Sequence, residues 1–366
     1  MSAGHRVAPD GPNPSLATLS AFSQGASRAK QQLAIRVSIL LPAHCAEATL
    51  AAALRSIQRQ TETRWECIVV DDGSRDRTVS VARGFAERDP RFQVLRLPHG
   101  GLVRALNRGL EACRAPLIAR MDADDLMHRE RLALQIGALD GDPSLDALGC
   151  HVRLFPRAGL AEGMRDYERW ICSIDSPDRV RAEAFVECPV AHPTLLIRSE
   201  ILKQMRYRER GWPEDYDLIL RLLAAGRKIS VLSRRLLCWR DGPGRLSRSS
   251  PVYAIERFTA CKAAFLAEGF LSRSAEYVLW GYGATGKGLR RALLEHGRRP
   301  SHIVELHPAR LGTRIHGAPV IPPEALENLR HRPIIASVAG AGPRQEIRGD
   351  LRRMGFREGI DFVCAA

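Results

Sequence analysis

Three carboxylates stand within four positions of the stretch "ARMDADDLMHRER": Asp122, Asp124 and Asp125. Like charges this close raise one another's pKa and oppose a compact fold unless a cation sits among them. They follow an apolar run of strand length, "APLIARM", so they are expected on the loop at its carboxyl end. A helix needs one capping acid there, not three. Closely spaced carboxylates on such a loop suit a hard divalent cation with oxygen ligands. Mg2+ or Mn2+ takes one or two of them and fills its shell with phosphate oxygens and water, so the cation is expected to arrive with a diphosphate.

Two other polar clusters follow apolar runs: Pro42 to Glu47 in "PAHCAE", and Asp71 and Asp72 in "DDGSRDRT". In an open parallel sheet ligands sit beyond the carboxyl ends of the strands, so all three clusters are expected to face one crevice. The plainer reading of each is helix capping. A fourth cluster, "GWPEDYDLILRL", puts Glu214 and Asp215 in the first turn of a helix, where the macrodipole stabilises negative charge. That suits simple helix stabilisation, and equally a general base that must stay ionised.

The elements that must position these groups alternate. "IRVSILLPA", "WECIVVDDGS", "FQVLRLP" and "APLIARM" read as strands, the first covered on both faces. "EATLAAALRSIQRQ", "DRTVSVARGFAERD", "GLVRALNRGLEACR" and "HRERLALQIGAL" read as the helices between and after them. The alternation predicts an α/β fold with a mainly parallel sheet and right-handed crossovers. After Asp140 the pattern loosens, although "HPTLLIRSEIL" reads as a strand entering a short helix. The expected organisation is a flexible tail over 1–34, a first domain over 35–250, a helical linker over 251–273 and a small Rossmann-like α/β domain over 274–366.

A chain of 366 residues can hold two domains with real cores. No apolar stretch approaches the ~18 residues of a transmembrane helix, and the N-terminus lacks the pattern of a secretion signal. Nine scattered cysteines without a C-x-x-C pair argue against a zinc site or disulfide framework and fit a reducing cytoplasm. The net charge of +14 favours polyanionic partners, nucleotides or anionic lipid headgroups among them. The arginines are spread along the chain and no finger or RNP signature accompanies them, so specific nucleic-acid binding is not expected.

With these residues assembled, the stretch from about Arg36 to Ser249 resembles the family 2 glycosyltransferases of GT-A fold. The matching pieces, in the family's order, are "VSILLPAHCAEATLAAALRSIQRQT", "ECIVVDDGS", "LVRALNRGLEAC", "ARMDADD", "HPTLLIRSEIL" and "EDYDLILRL". The resemblance implies that Pro42, Ala43 and Glu47 belong to the first nucleotide-contacting loop. It implies that Asp72, with Asp71 beside it, recognises the base of a UDP-type donor. Asp122, Ala123 and Asp124 match the D-x-D motif, with the two acids at the metal-bound diphosphate. Asp215 matches the base that deprotonates an acceptor hydroxyl. The implied reaction is one inverting displacement at the anomeric carbon with metal-bound diphosphate leaving. The acceptor would be a glycan, a glycolipid or another hydroxyl compound, and the basic surface would let the protein lie against an anionic inner membrane face.

There are departures from the family pattern. His44 and Cys45 stand where an aromatic residue and Asn are usual, and Gly242 stands at a usual His position after Arg240. The Q-x-x-R-W motif of processive synthases is absent downstream of Asp215, which favours transfer of one sugar per encounter.

The C-terminal stretch "YVLWGYGATGKGL" is a strand, a glycine-rich turn and a helix start. Gly281, Gly283 and Gly286 fit G-x-G-x-x-G, and Glu305 follows about 20 residues on, where an acid meets a ribose hydroxyl. A tight turn without ligand and a nucleotide site both fit. A P-loop does not, because Gly288 replaces the Ser or Thr that would hold Mg2+. A nucleotide-sugar oxidoreductase or epimerase would need a Tyr-x-x-x-Lys relay that this module lacks, and a nucleotide-sugar sensor is the other alternative reading.

Overall fold

A computed structural model describes residues 34–366 except Pro243, together with Met1, Ser2 and Gly4. The tail expected over 1–34 otherwise lies outside the described residues.

The first sheet contains β1 (Val37–Ala43), β2 (Trp65–Asp72), β3 (Phe92–Leu97), β4 (Leu117–Arg120), β5 (Leu126–Met127), β6 (Ala147–Phe155), β7 (Leu196–Arg198) and β8 (Ile229–Arg240). Their spatial order is β3-β2-β1-β4-β7-β6-β8-β5. The half from β3 to β4 is parallel throughout, while β7 runs antiparallel to both β4 and β6. Every residue of β1 and β2 is buried, as expected of strands covered on both faces. Alternate residues feed two cores. Val37, Ile39 and Leu41 pack with the helices Leu50–Gln58 and Arg131–Gly141, and Leu40, Ile68 and Val70 pack with Leu102–Ala112 and Glu214–Ala224. On that second face Gly109 lets its helix approach the sheet. A Cβ there would stand 2.4 Å from Leu40 and 2.6 Å from Val70.

Near the start of β2 a buried charge, Glu66, is fully partnered. Glu66 accepts from the Ser38 hydroxyl at 2.6 Å, and from the Arg114 backbone N–H and guanidinium at 2.8 and 2.6 Å. This ties β1, β2 and the entry to β4 at the end of the sheet away from the acidic loops.

The second sheet contains β9 (Glu276–Trp280), β10 (Arg299–Val304), β11 (Arg314–Ile315), β12 (Ala318–Ile321), β13 (Ile334–Ala336) and β14 (Phe362–Cys364), in the order β11-β12-β10-β9-β13-β14. All pairings are parallel except β11 with β12. Between the sheets in the chain runs the helix Ile255–Glu268, whose buried Lys262 donates to the carbonyls of Val186 and Ala365. Glu183 clamps the two parts together. Its carboxylate, 1% exposed, receives the Trp170 indole N–H at 3.0 Å and the Arg348 guanidinium at 2.7 Å.

Candidate active site

The acidic loop continues directly from β4. Arg120 lies opposite Leu40 of β1, and the Met121 N–H still donates to the Leu40 carbonyl. Asp122 therefore emerges level with Pro42. On the other side of β1, Ala43 is paired with Asp71. The ends of β2 and β4 are thus two strand spacings apart, roughly 10 Å, and open on the same edge of the sheet. Pro42 and Ala43 form the buried floor between them.

At the β4 end, Asp122, Asp124 and Asp125 bring ligand oxygens within 4.8 Å of one another. The first two are partly exposed, Asp125 is fully buried, and Ala123 is largely buried. Burial, then repulsion from Asp122, pushes the Asp124 carboxyl up, and the same causes push Asp125 well above the carboxylate range. Protein cations compensate only in part. Arg120, 4% exposed, meets Asp122, and Arg240 donates its backbone N–H to Asp125 Oδ1 and its side chain to the Asp124 carbonyl, both at 2.7 Å. Asp125 Oδ2 is buried and has no hydrogen-bond partner among the described residues. Three oxygen donors, mutual repulsion and an unsatisfied buried carboxylate oxygen together fit a hard divalent cation.

Asp215 lies in the first turn of the helix Glu214–Ala224, where it accepts from the Tyr216 N–H at 2.7 Å. Protein surrounds it, yet its surface stays partly open. Burial raises its pKa to about 6 against the lowering effect of Arg120, and repulsion from Asp122 adds to the rise. Asp122 and Asp215 are therefore electrostatic neighbours of one guanidinium. Glu214 is pushed up to about 7 by burial and by Asp215. It accepts from the Tyr253 hydroxyl at 2.6 Å, and its other oxygen stands 3.7 Å from His192. His192 also contacts the Tyr207 hydroxyl at 2.9 Å, and burial holds the imidazole well below its usual pKa.

At the β2 end both acids are engaged by backbone. Asp71 receives the Ser74 N–H, and Asp72 receives the N–H groups of Gly100 and Gly101 at 2.8 Å each. His99 contacts Asp72 Oδ2 at 2.9 Å. The exposed rings of His44 and His99 stack with centroids 4.5 Å apart, and both Nδ1 atoms face the Asp72 carbonyl. Glu47 accepts from the Arg77 backbone N–H at 2.8 Å and so fastens the loop after β1 to the start of helix Thr78–Ala86.

The structure therefore gathers Asp122, Asp124 and Asp215 at one end and Asp71 and Asp72 at the other end of a single rim. Gly281, Gly283, Gly286 and Glu305 stand apart on the second sheet, where Glu305 accepts from the Tyr282 N–H at 2.9 Å. Residue types and spacing do not disclose Arg120, Arg131, His192, Tyr207 or Tyr253. Arg120 had a signal, since two residues along an extended chain return to the same side as Asp122. Arg131, fully buried behind the loop and donating to the Arg120 carbonyl at 3.0 Å, had none.

Residues 38–206 match the family model for glycosyl transferase family 2. The O-antigen biosynthesis glycosyltransferase WbnJ of Escherichia coli is 30% identical over 193 residues, covering 51% of this chain and 71% of the relative. The amylovoran biosynthesis glycosyltransferase AmsE of Erwinia amylovora is 28% identical over 201 residues, covering 54% and 73%. Among solved structures, S. aureus TarS 1-349 in complex with UDP-GlcNAc superposes with a TM-score of 0.52 at 18% identity, over 71% of each chain. That likeness is one of fold.

Proposed function

The chain belongs to glycosyl transferase family 2 and is a glycosyltransferase, and from that premise we propose an inverting, metal-dependent transfer of one sugar from a UDP-type nucleotide-sugar to an acceptor hydroxyl. The observation that carries the reading is the shared neighbourhood of Asp122, Arg120 and Asp215, with the Asp71–Asp72 pair two strands away on the same rim. A nucleoside diphosphate spans that interval, with its base at the β2 end and its phosphates at the β4 end.

In this account Asp122 and Asp124 hold Mg2+ or Mn2+, and the fully buried Asp125 supports them from behind. When bound, the cation acts as a Lewis acid on the charge developing on the leaving diphosphate. Arg120 keeps Asp122 ionised and directed towards the crevice. Asp215 accepts the proton of the acceptor hydroxyl at a carboxylate oxygen, which requires it to be ionised at working pH. His44 offers its exposed ring to the base, and Asp72 fixes the His99–Gly101 loop that closes this end.

The curated relatives act in O-antigen and amylovoran biosynthesis, and we assign this chain to glycan or glycolipid assembly on the same pattern. Among the described residues no helix is long and apolar enough to cross a membrane. The proposal places the protein on the cytoplasmic side, with its +14 charge available to an anionic headgroup surface.

The reading is tested by incubating the full chain with a panel of nucleotide-sugars, with Mn2+ and with chelator, and following release of nucleoside diphosphate. The expected result is metal-dependent release and a transferred sugar of inverted anomeric configuration by NMR. Absence of release with every donor would overturn it.

A further inference from the structure

The glycine-rich turn after β9 has no part in the chemistry above. We propose that the second sheet carries its own metal-independent site for a phosphate-bearing nucleotide, with the phosphates held between the loops Gly281–Gly283 and Val338–Gly340.

The placement follows from topology. Strand β9 lies in the middle of its sheet, between β10 and β13, with Trp280 opposite both Val304 and Ala336. From β9 the chain passes through helix Ala284–Glu295 to β10 on one side, and from β13 through helix Ala341–Arg353 to β14 on the other. The strand order therefore reverses between β9 and β13. In open parallel sheets that point opens a crevice at the carboxyl ends.

Two helices of 12 and 13 residues start at this crevice, and neither has a side-chain cap. Their first N–H groups and aligned peptide dipoles favour an anion. Glycines shape both loops. Gly281 has φ 94° and Gly340 φ 102°, a region that residues with a Cβ rarely enter. A Cβ on Gly281 would stand 2.3 Å from Val338, so the loops touch, and one on Gly286 would stand 2.2 Å from the Gly281 carbonyl oxygen.

A second observation is independent of helix geometry. Ser337, the residue between β13 and the second loop, is 2% exposed, and its hydroxyl has no hydrogen-bond partner among the described residues. Side chains alternate along a strand, so Ser337 shares the face of Ile335, which packs with Leu289 and Leu293 of helix Ala284–Glu295. Its hydroxyl is thus directed to the side on which that helix begins. A buried hydroxyl without a partner is costly, and a phosphate oxygen would satisfy it.

Nucleotide rather than bare phosphate follows from Glu305, at the end of β10. The Tyr282 N–H and Arg310 anchor one of its oxygens, at 2.9 and 3.2 Å, which fixes a carboxylate beside the loop where a ribose hydroxyl would lie. The phosphate charge is met here by the free N–H groups and dipoles of two helix N-termini, which frame the site without a divalent cation.

The test uses the full chain carrying Asp124→Ala, in chelator, so that the first site is silenced. Equilibrium dialysis is run with ADP, UDP, NAD+ and inorganic pyrophosphate. The decisive variant is Gly283→Asp. Gly283 has φ −75° and nothing within 4 Å of a Cβ, and Asp is a favoured N-cap, so the fold is retained while a carboxylate enters the anion site. The expected result is binding of at least one nucleotide with Kd below about 1 mM. Gly283→Asp should weaken it at least tenfold with an unchanged thermal midpoint, and Ser337→Ala several-fold. Binding of no nucleotide, binding of pyrophosphate alone, or equal binding by Gly283→Asp would each overturn the proposal. None of these results bears on donor turnover at the first sheet.

Discussion

Arg120 and Asp122 form an ion pair inside the crevice at 2.5 Å, and the same guanidinium lowers the pKa of Asp215. One buried cation therefore acts electrostatically on both the carboxylate proposed for metal and the one proposed for proton transfer. Removing it should be felt by both. Arg120→Met leaves Asp122, Asp124 and Asp125 to repel one another without their nearest buried cation. Stability should fall by about 3 kcal/mol at pH 7, as when one partner of a buried pair is removed. Urea unfolding checks the value, and Asp122→Asn on the same background should restore part of it.

The pH dependence of turnover follows from Glu214 and Asp215. Burial raises both, to about 7 and about 6, and as neighbours they titrate as a pair. A base must be ionised, so kcat/KM should rise with pH through this range and level off above it. A profile from pH 5 to 9 with saturating Mn2+ reads the midpoint. A limb centred near 4, the ordinary carboxylate value, would contradict the assignment of Asp215.

The same shift has a sign for stability. A carboxyl whose folded pKa is raised favours the fold at low pH, and that contribution is lost as pH rises through the folded pKa. Asp215→Asn removes the cost of holding a charge there. The variant should be more stable than wild type at pH 8, by roughly 1–2 kcal/mol. It should differ little at pH 4, and it should have lost turnover. Chemical unfolding at the two pH values provides the comparison.

Glu183 predicts how the two sheets come apart. It is buried against Arg348 at 2.7 Å and Arg344 at 3.7 Å. Glu183→Ala would strand two arginines at the junction, a loss of about 3 kcal/mol. Calorimetry should resolve two unfolding transitions in the variant where wild type shows closer coupling. Glu183→Gln, which keeps hydrogen-bond acceptance, should fall between them.

Strands β1, β2 and β4 and their helices were legible in sequence because a strand buried on both faces leaves a continuous apolar run, and its helices leave a stripe; β3, half-buried at the sheet edge, was legible from Phe92, Val94, Leu95 and Leu97. Strands β6 and β8 were not. In β8 the consecutive residues Ser233, Arg234 and Arg235 are exposed in mid-strand, and the β6–β8 pairing shifts register around His151, so no period of two survives. The acids of the site could be read from residue type and spacing alone. Their partners could not, because Tyr253 meets Glu214 across 39 residues and Arg131 becomes buried only through tertiary packing.

The claim at the centre is that acids distant in the chain grip one nucleoside diphosphate through a divalent ion. Titrating UDP into wild type and Asp124→Ala by calorimetry, each with Mn2+ and with chelator, addresses it directly. Wild-type affinity should depend on Mn2+, and the variant should lose at least tenfold in affinity together with that dependence. Equal UDP affinity in all four titrations would contradict it.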